Sequence, residues 1–456
     1  MKRNGKRIKR GKPSKDSGGN RDKLHLAWDE DIASSSDEDN TNKVEISDSE
    51  DEINETAEQK RIRMAKIYLN DVEEEVLRSA EDEDNEEGKE EYDGVSKVSS
   101  KLRRDRLEYQ RRLLRSYSGI VEKKNMQHIS LNSFSGHNQP VTTVSLSADA
   151  SFVVSGSKDN AIIRYDVESG SKTYLLSRWR KGLGQSLHGE VLATTISTDG
   201  KYIASGGRDK MVRIYDARTN EEIKSFEGHR DAITSLCFKQ DSYSLFSGSL
   251  DRCLKHWDLN EMGYLETLFG HQEGVYSVDI WNKDRPVSSS GDRTIRLWNT
   301  ATDTHLVFRG QGGSIDNVQM ITDEMFISGG QDGNLCLWKD AQKRYTATTS
   351  NAHGFEGSSS TCRWISSLCA IKMSDVVLSG SNDGNLKFWS VGKREEDITA
   401  TIREINSLPI AGFINSIAVS NDIVAVGTGR EHKYGRWCVE KGNKNKVHVF
   451  KLGLGG

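Results

Sequence analysis

Histidine, serine and aspartate recur along this chain at spacings that could build a hydrolytic site. His229, Ser247 and Asp251 lie within one stretch of sequence, and Trp257 follows Asp251 by six residues. A hydrolase would use the serine as nucleophile, the histidine as base and the aspartate to orient the ring. Repetition argues against that use. Aspartates recur at Asp159, Asp209, Asp251, Asp292, Asp332 and Asp383, and each is followed six residues later by an aromatic: Tyr165, Tyr215, Trp257, Trp298, Trp338 and Trp389. His137, His188, His229 and His271 precede their aspartates by 21 or 22 residues. A triad needs one exposed nucleophile beside one oxyanion hole, whereas this trio recurs along the chain. The bonding pattern it offers is structural: His to Asp, Ser to His, and the aromatic N–H or O–H completing the chain, so that each buried polar group has a partner.

The elements that carry these residues repeat with them. Each unit runs Gly-His, a strand, a Ser-Gly pair, an Asp turn, and a strand ending in Trp or Tyr; the clearest copy is Gly228 to Asp258. The aspartate separations are 50, 42, 41, 40 and 51 residues. Four strands per unit at that period specify an all-β fold, a WD-repeat β-propeller. The fifth copy has Gln311 in the His place, and the sixth has His353, displaced by an insertion. A seventh copy is degenerate: residues 412–429 give two strands and residues 446–452 a third. Its fourth strand is missing, while residues 128–134 stand unpaired before the first copy. Pairing the two closes a seven-bladed ring and leaves no open edge. The domain is therefore expected to span residues 126–452, behind an arm of residues 1–125.

Composition agrees with that division. The whole chain of 456 residues is 29% charged and carries a net charge of −4. The arm is dense in Lys, Arg, Asp, Glu and Ser and buries too little apolar surface to order fully. It opens with Lys2, Arg3, Lys6, Arg7, Lys9 and Arg10, a nuclear import signal or an RNA-phosphate contact. Acidic serine clusters follow at residues 34–39 and 47–51 and suit an acidophilic kinase. Two helices are predicted. One starts at the capping pair Thr56 and Gln59 and sets Ile62, Ala65, Leu69, Val72 and Val76 on one face. The second, about Lys101 to Ser116, is strongly basic. Six scattered cysteines without a CxxC pair read as packed free thiols. No metal, cofactor, membrane span or small-molecule substrate is implied, and no Gly-rich phosphate loop or paired-carboxylate cleft stands out. The reading is a binding scaffold, not an enzyme.

Two interblade loops combine arginine with tryptophan, the chemistry of phosphate contact and base stacking. One carries Arg178, Trp179, Arg180 and Lys181. The other carries Arg430, His432, Arg436, Trp437 and Lys441. The alternative is that Trp437 packs under its own loop and the arginines are solvated.

Beyond the repeats, the chain resembles the U3 small nucleolar ribonucleoprotein 55-kDa family of the small-subunit processome. The resemblance rests on residues 56–69, 228–236, 265–272, 308–316, 352–368 and 412–437, the last filling the break in the seventh repeat. It implies a nucleolar protein that binds U3 snoRNA at its box B/C element, beside the kink-turn-binding box C/D core protein. Other processome proteins would be partners, pre-rRNA would be met indirectly, and processing towards 18S rRNA would be supported. The competing reading is a protein-only WD-repeat adaptor, such as a chromatin reader or a ubiquitin-ligase substrate receptor. The basic arm and the two Arg-Trp loops favour RNA.

Overall fold

The computed structural model describes residues 60–61, 63–70, 102, 114–126, 129–176, 189–310, 312–355, 361–392, 400–435, 439 and 442–454. The chain divides into two units, Met1–Glu75 and Val76–Gly456. In the first, residues 60–61 and 63–70 are helical, and Ala65 and Leu69 of the expected stripe are exposed. Thr56, Gln59, Ile62, Val72 and Val76 lie outside the described residues. So do the basic run from Lys2 to Arg10 and both acidic serine clusters.

The second unit holds seven four-stranded antiparallel sheets, as the repeat spacing predicts. Six are runs of four consecutive strands. The seventh joins Phe413–Ser420, Ile423–Gly429 and Lys446–Lys451 to Asn132–Phe134 from the far end of the sequence. Asn132 pairs with Val449, Ser133 with His448 and Phe134 with Val447, so the predicted closing strand supplies the missing edge.

Each innermost strand packs against its neighbour's, and the last returns to the first. The apolar side chains form seven buried clusters among the described residues, and each lies between two adjacent blades. Val141, Val153 and Tyr165 of blade 1, for example, pack on Ala425, Val447 and Val449 of blade 7. Side chains latch neighbouring innermost strands at their first turn. Thr142 donates to the Val191 carbonyl at 2.6 Å, Thr234 to Val275 at 2.6 Å and Asn415 to Val141 at 2.9 Å. All three occupy β-bulges, where an extra residue turns its side chain out of the pleat.

The expected second arm helix ends earlier than its composition suggests. Leu102 is helical, but residues 114–117 are not. Arg115 instead pairs with the loop at Ser374, its N–H donating to the Met373 carbonyl at 2.8 Å and its own carbonyl accepting from Asp375. A short helix, Ser118–Lys123, follows. The Asp375 carboxylate accepts the N–H groups of Tyr117 and Ser118 at 2.8 and 3.2 Å, and Asn406 donates to the carbonyls of Val121 and Lys124 at the other end. Both helix ends are thereby satisfied from blade 6. Val121 and Met126 are buried in the cluster between blades 6 and 7.

Packing on the propeller therefore starts upstream of residue 126. A chain beginning at residue 127 is expected to fold but to melt below one beginning at residue 114, by about 3 kcal/mol from the two lost apolar side chains. Thermal denaturation of the pair checks this; equal melting temperatures would show that residues 114–126 add nothing.

Candidate functional site

The recurring polar residues form buried chains. In blade 3, Trp257 Nε1–H donates to Ser247 Oγ at 2.8 Å, Ser247 lies 2.7 Å from His229 Nε2, and His229 Nδ1 lies 2.8 Å from Asp251. The hydrogen count assigns the roles: the Ser247 hydroxyl donates to Nε2, and Nδ1–H donates to the carboxylate. Blade 4 repeats this with Trp298, Ser288, His271 and Asp292. Blade 6 repeats it with Trp389, Ser379, His353 and Asp383. In blade 1, His137 reaches Ser155 at 2.7 Å and Asp159 at 3.4 Å. There Tyr165 replaces the tryptophan, and burial pushes its hydroxyl up to about 12. In blade 2, Asp209 pairs with Arg213; His188 lies outside the described residues. Blade 5 keeps the Trp338 to Ser328 bond at 2.8 Å, while Gln311 lies outside the described residues.

Charge follows the partners. Burial alone would raise the Asp251 carboxyl, but hydrogen bonds from His229 and the Arg230 N–H outweigh it and hold the group at about 2. Asp332 belongs to the copy with Gln311 in the His place, and burial raises it despite bonds from Asn334. In blades 3, 4 and 6 the Ser hydroxyl already bonds both its His and its Trp, so it is not presented as a nucleophile. Burial likewise pushes the Cys369 thiol up to about 12, away from nucleophilic use.

The loop that breaks the seventh repeat is built into the ring at the face bearing the Asp turns. Lys158 of blade 1 forms a buried pair with Glu431 at 3.3 Å and donates to the His432 carbonyl at 2.7 Å. Asn415 donates to the Glu431 carbonyl at 3.0 Å and accepts from the Lys433 N–H at 3.1 Å. His432, expected among the RNA contacts, is a packing residue instead. Its ring stacks on Trp364 at 4.6 Å and is only 3% exposed, which leaves no face for a base. Burial and the cations Lys433 and Lys158 lower its pKa to about 3. Tyr434 reaches Tyr276 of blade 4, with rings 5.6 Å apart.

This loop, with Trp364, Tyr276 and Asp316, lines a cavity of about 1160 Å³ at the channel mouth. Asp316, half-buried there, is pushed up to about 6 by desolvation, against the Ser314 hydroxyl and Lys433. Sequence reasoning missed Lys158 and Trp364, which sit elsewhere in the chain; the signal was a lysine before a turn Asp in blade 1 only. Arg430 is exposed, its Nε donating to the Asn443 carbonyl at 2.6 Å. Arg436, Trp437 and Lys441, and Arg178, Trp179, Arg180 and Lys181, lie outside the described residues.

Fold and repeat chemistry together define a WD-repeat β-propeller. The family model described as "WD domain, G-beta repeat" matches residues 129–166, 183–216, 220–258, 263–299 and 350–390, passing over the fifth and seventh blades. Human U3 small nucleolar RNA-interacting protein 2 is 35% identical over 88% of this chain and 83% of its own. A U3 snoRNP-associated protein-like sequence of Arabidopsis thaliana is 31% identical over 89% and 88%. The solved structure of U3-55K superposes with a TM-score of 0.67 at 36% identity, over 71% of this chain and 98% of that one. The chain belongs to the WD-repeat family of U3 small nucleolar RNA-interacting and U3 snoRNP-associated proteins.

Two stability outcomes follow from the geometry. His229→Ala should lower stability by about 1–3 kcal/mol, because Ser247 and Asp251 each lose a buried partner. In the wild type, the depressed Asp251 carboxyl stabilises the fold above pH 4, and that contribution is lost as pH falls from about 4 to about 2. His229→Ala should flatten this acid loss, which thermal scans across that window would read; an unchanged acid limb would contradict the assignment. Lys158→Ala removes the buried ammonium that bonds the Glu431 carboxylate and the His432 carbonyl and should cost about 1–3 kcal/mol. Chemical denaturation measures it, and a loss under 1 kcal/mol would show that the loop is not pinned.

Proposed function

We propose that this chain is a non-catalytic scaffold of the U3 ribonucleoprotein, binding U3 snoRNA at box B/C beside the kink-turn core protein. On this reading it supports pre-rRNA processing towards 18S rRNA and works in the nucleolus, carried there by the basic run from Lys2 to Arg10. The propeller, residues 126–452, does the binding, and the arm supplies import and further contacts.

One observation carries the reading: the seventh blade gives up its Asp turn for a loop whose root is fixed and whose continuation is basic. A sequence chosen for stability alone would have kept the repeat; departures from local rules concentrate at functional sites. The root, Glu431 to Tyr434, is held by Lys158, Asn415 and Trp364. Arg430 stays exposed beside it, and Arg436, Trp437 and Lys441 follow in sequence. A rigid base carrying arginine and an aromatic suits phosphate contact and stacking. Support also comes from relatives named for U3 RNA and for ribosomal RNA processing, the latter in Saccharomyces cerevisiae at 26% identity over 71% of this chain.

Replacing Arg430, Arg436 and Lys441 by glutamine should weaken binding to a U3 box B/C ribonucleoprotein without changing the fold. The salt dependence of affinity should flatten by about one unit or slightly less per lost phosphate contact. A salt titration of wild type and variant reads both. Equal affinities and slopes, with equal melting temperatures, would remove this loop from the interface.

A further inference from the structure

The residue after each turn aspartate adopts a left-handed backbone. It is Asn160 in blade 1 at φ 64°, Gly333 in blade 5 at 68° and Gly384 in blade 6 at 73°. Asparagine and glycine are the residues that tolerate this conformation. Blades 2, 3 and 4 break the rule together, with Lys210 at 67°, Arg252 at 72° and Arg293 at 63°. Three adjacent blades thus accept local strain to set a cation at the same place on the same face. Strain retained at equivalent positions points to a use for the side chain.

Further cations gather around these turns. A depression at blade 3 is lined by Arg230, Arg252, Lys255 and Phe269. Its neighbour at blade 4 is lined by Arg293, Arg296, Arg309 and Lys343. Arg230, Arg252, Arg293, Arg309 and Lys343 are exposed. The carboxylates lining these depressions, Asp251 and Asp292, are turned into their histidines. Phe269 is 71% exposed, more than any other large apolar side chain among the described residues. A bare aromatic ring amid arginines is the pattern that stacks a base while the cations hold the backbone.

We propose that this arc across blades 2–4 is a second RNA-contact surface, taking the phosphate backbone of a single-stranded segment and stacking one base on Phe269. The inference rests on the RNA-scaffold reading but uses residues distinct from the seventh-blade loop.

The test replaces Lys210, Arg252 and Arg293 by asparagine in the full-length chain. Asparagine suits the left-handed turn, so the variant should melt at or above the wild-type temperature. Its affinity for a U3 RNA fragment carrying box B/C and its single-stranded flanks should fall at least tenfold at low salt. The salt slope should flatten by about two units, the value for three phosphate contacts on a single strand. Phe269→Ala should lose roughly tenfold, and Phe269→Trp should keep wild-type affinity. Unchanged affinity and slope in the triple variant, with the Arg430, Arg436 and Lys441 variant still weakened, would overturn the arc and leave the scaffold reading standing. A wild type that binds no RNA would overturn both. Unchanged RNA affinity with loss of binding to a polyglutamate peptide would assign the arc to an acidic protein partner and overturn the proposal.

Discussion

Apolar burial in this protein lies between blades, and every other feature depends on that. Seven clusters fill seven interfaces, so no blade completes its core without a neighbour on each side. An open chain of blades would expose an apolar face at each end and an unpaired strand edge. Asn132–Phe134 removes both costs by pairing with Lys446–Lys451. The Trp-Ser-His-Asp chains work at a smaller scale, fixing the turn of a blade against its strands so that the bulge residues meet the next blade in register.

Much of this was legible because repetition amplifies weak signals. One Gly-His or one Asp turn says little; six aspartates with aromatics six residues on give the period and strand order, and the degenerate seventh copy at residues 412–429 and 446–452 gives the blade number and the need for a closing strand. What stayed hidden were contacts that no repeat announces. The basic composition of residues 101–116 suggested continuous helix, but blade 6 offered the backbone of Arg115 a pairing partner at Met373 and Asp375. Local propensity yielded to tertiary hydrogen bonding. His432 read as an RNA contact, for stacking or packing, because it sits among arginines and aromatics. Its partner Trp364 lies 68 residues upstream, in the insertion-bearing sixth repeat, and only the folded ring brings them together.

The left-handed turn residues show a different limit. Lys210, Arg252 and Arg293 look unremarkable in sequence, as three basic residues on a charged surface. Their backbone angles turn them into a pattern, because glycine or asparagine occupies the same corner in blades 1, 5 and 6. On this reading the ring is a rigid frame that holds cations at fixed places on the face of the Asp turns. The seventh-blade loop, pinned by Lys158, Asn415 and Trp364, occupies the channel mouth at the same face.

The central claim is that this propeller is an RNA-holding scaffold of the U3 particle. Ultraviolet crosslinking of the protein in cells, followed by sequencing of the attached RNA and mass spectrometry of the attached peptides, tests it most directly. The account predicts U3 RNA reads concentrated at box B/C and its flanks, with crosslinked peptides from the seventh-blade loop and from around Arg252, Phe269 and Arg293. Recovery of protein partners without enriched U3 RNA would contradict it and favour a protein-only adaptor.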